Sequence, residues 1–166
     1  MNDDLKQKHL DRAKNLFLSG YNCAQSVVGA YSDELVEIGV TPKAALRIAS
    51  GFGGGIGRLR LTCGAVTGMV AVTGALYGYD DISNPENKDN IYAMIQKLTA
   101  QFKELHGSLD CHELLSGIES DTSPKASPRT DEYYETRPCM HIVLSAVEII
   151  DENIERQEDK QSDKKN

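Results

Sequence analysis

The stretch GFGGGIGRLRLTCGAVTGMVAVTGALYG, residues 51–78, decides how this chain is read. Between Gly51 and Gly68 seven glycines surround one cysteine: five precede Cys63 and two follow it. Two nucleotide fingerprints fail here. G-x-x-x-x-G-K-[ST] lacks its Lys-Ser or Lys-Thr, and G-x-G-x-x-G finds Ile56, Arg58 or Arg60 where its third glycine belongs. No nucleotide is therefore expected. Glycine also permits left-handed backbone and lets another segment or a ligand approach closely. On that ground Gly53, Gly54 and Gly55 are candidates for holding a cofactor beside Cys63. Arg58 and Arg60 suit a small anion, although a solvated face is the commoner use of such charges.

Past Cys63 the same residues set the architecture. Gly64, Gly68, Ala71, Ala75 and Gly78 recur at helical offsets and form one face of small side chains. Such a face lets a neighbouring helix pack at close range. Glycine costs ~1 kcal/mol per helical position against alanine, so this helix needs its neighbours and reads as the centre of a bundle. Working outward, Leu5, Leu10, Ala13, Leu16 and Phe17 have helical spacing, and so do Val27, Val28, Tyr31, Leu35 and Ile38 on one helix from Ala24 to Ile38. Thr41-Pro42 starts a short helix that runs to about Ala49. Residues 86–106 form a long amphipathic helix, and a short one follows from Cys111 to Leu115. The polar stretch 119–130 is a surface loop. A last helix starts near Pro138, and charges dominate from Glu152 onward.

The expected fold is all-α: a compact bundle of about six or seven helices around a Gly/Ala-rich central helix. Residues 1–156 are expected to form one domain and 157–166 a charged, disordered tail. The chain has 166 residues, no Trp and 6% aromatics, so Leu, Ile, Val and Ala must build the core. A net charge of −7 argues against a nucleic-acid partner. The start MNDDLKQKHL has no apolar run, and the stretch from Ala65 to Tyr79 is too short to span a bilayer. A cytoplasmic protein with no membrane contact is expected, and a homo-oligomer is left open.

In a reducing compartment the four cysteines, Cys23, Cys63, Cys111 and Cys139, point to thiol or metal chemistry rather than structural staples. Four unrelated buried cysteines acting as small apolar residues are the plain alternative. Position argues against that alternative. Each cysteine follows or adjoins a capping signal: Asn22 with Gln25, Thr62, Asp110 with Glu113, and Thr136 with Pro138. The first turn of a helix offers unpaired N–H groups and a partial positive charge, which favour a thiolate. The wide spacing excludes C-x-x-C and C-x-x-C-H motifs, so any shared site must be assembled by the tertiary fold. Among the histidines, His112 and His141 have offsets from Cys111 and Cys139 that do not favour a shared metal. His106 suits a helix C-terminus, and His9, among charged residues, is expected to be exposed.

The segments LFLSGYNCAQSVVGAY, GFGGGIGR with TCGAVTGMVAVTGALYG, HGSLDCHELLSGI and RPCMHIV together resemble the C_GCAxxG_C_C family of redox-active proteins. The resemblance covers about Leu16 to His141. One departure is that the family label spells Gly-Cys-Ala, whereas this chain reads Cys63-Gly64-Ala65. The resemblance implies a helical domain with a redox role carried by Cys23, Cys63, Cys111 and Cys139. Three functions stay open at this point. The first is thiol–disulfide or electron-transfer chemistry with a redox partner. The second is a four-thiolate iron–sulfur or zinc site on the same cysteines. The third is a non-enzymatic helical interaction module.

Overall fold

The computed structural model describes residues 1–118 and 121–163. Nine α-helices lie among the described residues: α1 (Asp3–Leu18), α2 (Cys23–Ala30), α3 (Ser32–Glu37), α4 (Pro42–Ala49), α5 (Gly64–Tyr77), α6 (Glu86–His106), α7 (Cys111–Leu114), α8 (Asp131–Thr136) and α9 (Cys139–Asp163). A single 3-10 turn, Ser50–Phe52, extends α4 into the glycine run. The all-α expectation holds.

Helices α2 and α5 form the central pair, and α1, α4, α6 and α9 pack around them. The small-residue face explains the closeness of that pair. A Cβ at Gly68 would lie 2.9 Å from the Cβ of Val27 and 3.1 Å from the carbonyl oxygen of Ala24. One at Gly64 would meet the Cβ of Cys23 at 3.1 Å. Helix α5 also supplies Val66, Met69, Val72 and Thr73 to the interior, which they share with Leu98 and Phe102 of α6 and Val143, Ala146, Val147 and Ile150 of α9. The core is thus aliphatic, as the composition requires.

Three readings of the sequence are corrected. The helix expected from Ala24 to Ile38 is two helices, broken at Tyr31, and Ile38 is exposed. The break has a cause: the Tyr31 hydroxyl reaches the interior and donates to the Val147 carbonyl at 3.0 Å and the Asp151 carboxylate at 2.8 Å. Helix α8 was not foreseen. Thr130 caps it by accepting from the Tyr133 amide, and its first turn carries Asp131 and Glu132. Finally, His9 is not exposed but buried, because α9 and α3 place Asp151 and Glu34 on its two ring nitrogens, at 2.8 and 2.9 Å. Burial alone would lower its pKa, but the two carboxylates raise it to about 9.

The polar stretch is irregular and mostly exposed over residues 121–130, and residues 119–120 lie outside the described ones. Helix α9 continues through Asp163, so it includes part of 157–166; residues 164–166 lie outside the described ones.

Candidate functional site

Four helix starts converge at one end of the central pair. Asn22 caps α2 with a full capping box: its side chain accepts from the Gln25 amide, and Gln25 returns a bond to the Asn22 amide. That box fixes Cys23 as the first residue of the helix. At α5 the cap is Cys63 itself rather than Thr62. Thr62 instead pairs with Asp110 in a single antiparallel bridge, with Cys63 N–H donating to Leu109 and Cys111 N–H donating to Leu61, at 2.8 and 2.7 Å. The bridge ties the starts of α5 and α7 together.

At α7 the Asp110 carboxylate accepts from the amides of His112 and Glu113. The expected return bond from Glu113 is relayed: the Ser108 hydroxyl donates to Glu113 and accepts from the Asp110 amide. Thr136 does not cap α9. Its hydroxyl donates back to the Glu132 carbonyl inside α8, and the Pro138 carbonyl takes the first bond of α9, from Ile142.

The glycine run makes the convergence sterically feasible. Gly54, Gly55, Ile56, Gly57, Arg58 and Arg60 all have φ between 56° and 71°. Left-handed backbone costs roughly 1–2 kcal/mol at a residue with a side chain, so Ile56, Arg58 and Arg60 are held there by their surroundings. Amides at the end of the run donate back to its beginning, Arg60 to Gly54 and Leu61 to Gly55. A Cβ at Gly55 would lie 2.7 Å from both the Cβ of Cys111 and the backbone nitrogen of Leu61. The run therefore lies against Cys111, and Gly64 lies against Cys23.

All six pairs among the four cysteines interact electrostatically, so the fold brings together residues that the chain keeps far apart. All four are free thiols. Cys63 and Cys111 are buried, whereas Cys23 and Cys139 are partly exposed and hydrogen-bonded to each other. Their acidities diverge from the shared expectation of stabilised thiolates. Burial pushes Cys63 up to about 12, although the amides of Ala65 and Val66 favour its thiolate. Burial also raises Cys111, against the hydrogen bond and charge of Arg60. Cys23 is raised by its bond to Cys139 and by burial. Only Cys139 is lowered, to about 7: the Cys23 hydrogen bond and the charges of Arg137, Arg129 and Arg60 outweigh its burial.

A cavity of about 270 Å³ opens beside this pair. Cys23, Cys111 and Cys139 line it, with Gly53 and Gly54 in its wall and four arginines, Arg58, Arg60, Arg129 and Arg137, around it. Among the described residues no Asp or Glu lines it. Arg60 is 5% exposed, which corrects its expected place on a solvated face. Arg58 holds the loop over the cavity through the Ser123 carbonyl, the Ser127 hydroxyl and the Asp121 carboxylate. Arg129 anchors the other end of that loop on the Tyr21 carbonyl and over the rings of Phe17 and Tyr133.

Arg129, Tyr133 and Arg137 went unread in the sequence. The signal available was the Thr-Asp-Glu start of α8, which makes Tyr133 the third helical residue and places Arg129 and Arg137 at its two ends. His112 and His141 are exposed, and His106 stacks on Phe102 and His141. Among the described residues no three His, Cys, Asp or Glu side chains are disposed to hold a metal ion. No described helix is long and apolar enough to cross a membrane.

No curated protein and no solved structure matches the chain. One family model does, over residues 21–153; its description reads "Putative redox-active protein (C_GCAxxG_C_C)". That span takes in all four cysteines, the glycine run and the cavity-lining arginines, and the chain belongs to this redox-active C_GCAxxG_C_C family.

Proposed function

We propose that the protein, as one domain over residues 1–156, is a thiol–disulfide redox protein whose working pair is Cys139 and Cys23. One observation carries this reading. Cys23 and Cys139 are the partly exposed, mutually hydrogen-bonded thiols lining the cavity, and Cys139 is the one whose pKa is lowered, by that bond and by the charges of Arg137, Arg129 and Arg60. An attacking thiol works best when its pKa is near the ambient pH.

The reaction balances without further parts. The Cys139 thiolate attacks one sulfur of a substrate disulfide, whose S–S bond breaks. The leaving thiolate takes a proton from solvent. The Cys23 thiol then loses its proton and attacks the Cys139 sulfur, releasing the second substrate thiolate. The pair is oxidised by two electrons, and the substrate disulfide is reduced by two.

Cys63 and Cys111 are buried and would follow more slowly, as a second pair or as an electrostatic brake on a second negative charge. Gly53 and Gly54 would serve as cavity wall and Gly55 as the spacer that admits Cys111. No nucleotide enters the scheme. A four-thiolate metal centre on the same cysteines is the second reading; the electrostatic coupling of all six cysteine pairs supports it, although no three described ligand side chains are disposed to hold an ion.

Mild oxidation followed by peptide mapping tests the proposal. Its expected product is a Cys23–Cys139 disulfide with Cys63 and Cys111 still alkylatable. Four free thiols after oxidation would sink it. Iron or zinc retained by all four cysteines after anaerobic purification would replace it with the metal reading.

A further inference from the structure

The cavity has a charge problem that the redox reading leaves unsolved. Arg60 is buried, its Nε donates to the Asp121 carbonyl at 3.0 Å, its guanidinium also bonds the Cys111 thiol, and its Nη2 is left without a hydrogen-bond partner. Arg129 spends Nη2 on the Tyr21 carbonyl, while its buried Nη1 is also unpartnered. Both line the same cavity. Arg58, by contrast, is fully engaged with the loop. Buried donors without partners are rare in native structures and call for a ligand. Arginine forks match planar carboxylates in particular. The cavity is also small, below the ~300–1,000 Å³ usual for drug-sized ligands.

We propose that this cavity is an anion subsite that seats a low-molecular-weight disulfide bearing carboxylates, with Arg60 Nη2 and Arg129 Nη1 as its carboxylate ligands and the Cys23–Cys139 pair beside its S–S bond. The disulfide part rests on the redox reading above; the anion subsite does not. The substrate is reduced to two carboxylate thiols in the exchange already written, with Cys23 and Cys139 supplying both electrons.

The test uses the full reduced chain at about pH 8.5, where most of Cys139 is thiolate. Rates are compared for 3,3′-dithiodipropionate (a dianion), 2-hydroxyethyl disulfide (neutral) and cystamine (a dication), each normalised to its rate with free dithiothreitol. The dianion is expected to lead the neutral reagent by about tenfold or more, one decade per 1.4 kcal/mol. Arg60→Gln and Arg129→Gln, which also remove charge that acidifies Cys139, should slow all three reagents, the dianion at least about threefold more than the neutral one. Arg60→Lys, which keeps the charge, and a circular-dichroism check on each variant separate lost binding from lost fold. Equal normalised rates for the three reagents, or equal losses for charged and neutral ones, overturn the proposal.

A second arm follows the Arg60 side-chain NMR signal during titration with glutarate, an unreactive dicarboxylate, at constant ionic strength. If no disulfide oxidises the pair but glutarate saturates at Arg60, the redox reading fails and the anion subsite stands. If the pair oxidises without charge preference and glutarate has no effect, the subsite falls and the redox reading stands. Sulfate displacing glutarate at lower concentration would reassign the ligand to an inorganic oxyanion and overturn the carboxylate assignment.

Discussion

Two buried charged clusters lie in this bundle, and they are built on opposite principles. Around His9 the carboxylates outnumber the cation: one imidazolium sits between Asp151 and Glu34, with Tyr31 bonded to the same aspartate. Around Cys139 the cations prevail in the lining: among the described residues four arginines line the cavity, Arg58 being paired with Asp121 of the loop, and thiols are its anionisable groups. The first arrangement holds α1, α3 and α9 together through both ring nitrogens of His9. In the second, Arg60 Nη2 and Arg129 Nη1 are left without a hydrogen-bond partner. Burial is common to both; what differs is the sign of the local charge.

That contrast can be broken in four places. The largest effect is expected from His9→Gln, which leaves two carboxylates buried without their cation. A loss of roughly 3–5 kcal/mol in denaturant unfolding is expected, with thiol reactivity unchanged. A comparable change in thiol reactivity would show that the two clusters are coupled. Next comes pH. The folded pKa of His9 is raised to about 9, above its ordinary 6.5. Its contribution is therefore complete below about pH 6.5 and lost as pH rises through about 9, roughly 3 kcal/mol in all. Thermal unfolding across that window should show the decline in the wild type and a flatter curve in His9→Gln.

Smaller effects belong to the cysteine–arginine cluster. Cys139→Ser should slow alkylation of the fastest thiol at neutral pH by at least roughly 15-fold, the difference between a half-ionised thiol and one of ordinary acidity, because the other three thiols are raised. Stability should stay within about 1 kcal/mol. Retention of a fast thiol in that variant would move the reactive role to another cysteine. The smallest effect is expected at Ile56, whose side chain is partly exposed at φ 61°. Ile56→Gly relieves left-handed strain and should stabilise the protein by about 1 kcal/mol. A loss instead would mean that the side chain holds the run together.

Much of the fold was legible because its signals are local. The small-residue periodicity of α5, the Asn22–Gln25 box, Thr41-Pro42 and the glycine after His106 all act within a few residues of themselves. The gathering of the cysteines was legible only as a shared habit of position, since the sequence shows four helix starts but not that they meet. The errors arose where a distant partner overrides local pattern. Tyr31 breaks a periodic helix to reach Asp151. Thr62 is diverted from capping by its bridge to Asp110. His9 was readable in principle, because Leu5, His9, Ala13 and Phe17 follow one another at offsets of four along the inward face of α1. A charged neighbourhood in sequence concealed a buried position between two carboxylates in space. Arg60 was not readable, since only the left-handed course of residues 54–60 turns it inward.

The distance along the chain between Cys23 and Cys139 has a consequence for synthesis and repair. A C-x-x-C motif keeps its two thiols adjacent even in a fragment. Here more than a hundred residues separate the two sulfurs, and the second opens the last helix. A chain that has not yet docked α9 has Cys23 without Cys139 beside it, and Cys139 away from the folded positions of the arginines that acidify it. On the proposed pairing, reactivity would be withheld until the domain is assembled. Closing so long a ring as a disulfide would restrict the unfolded chain by roughly 4–5 kcal/mol, so oxidation would lock the finished molecule and reduction would loosen it.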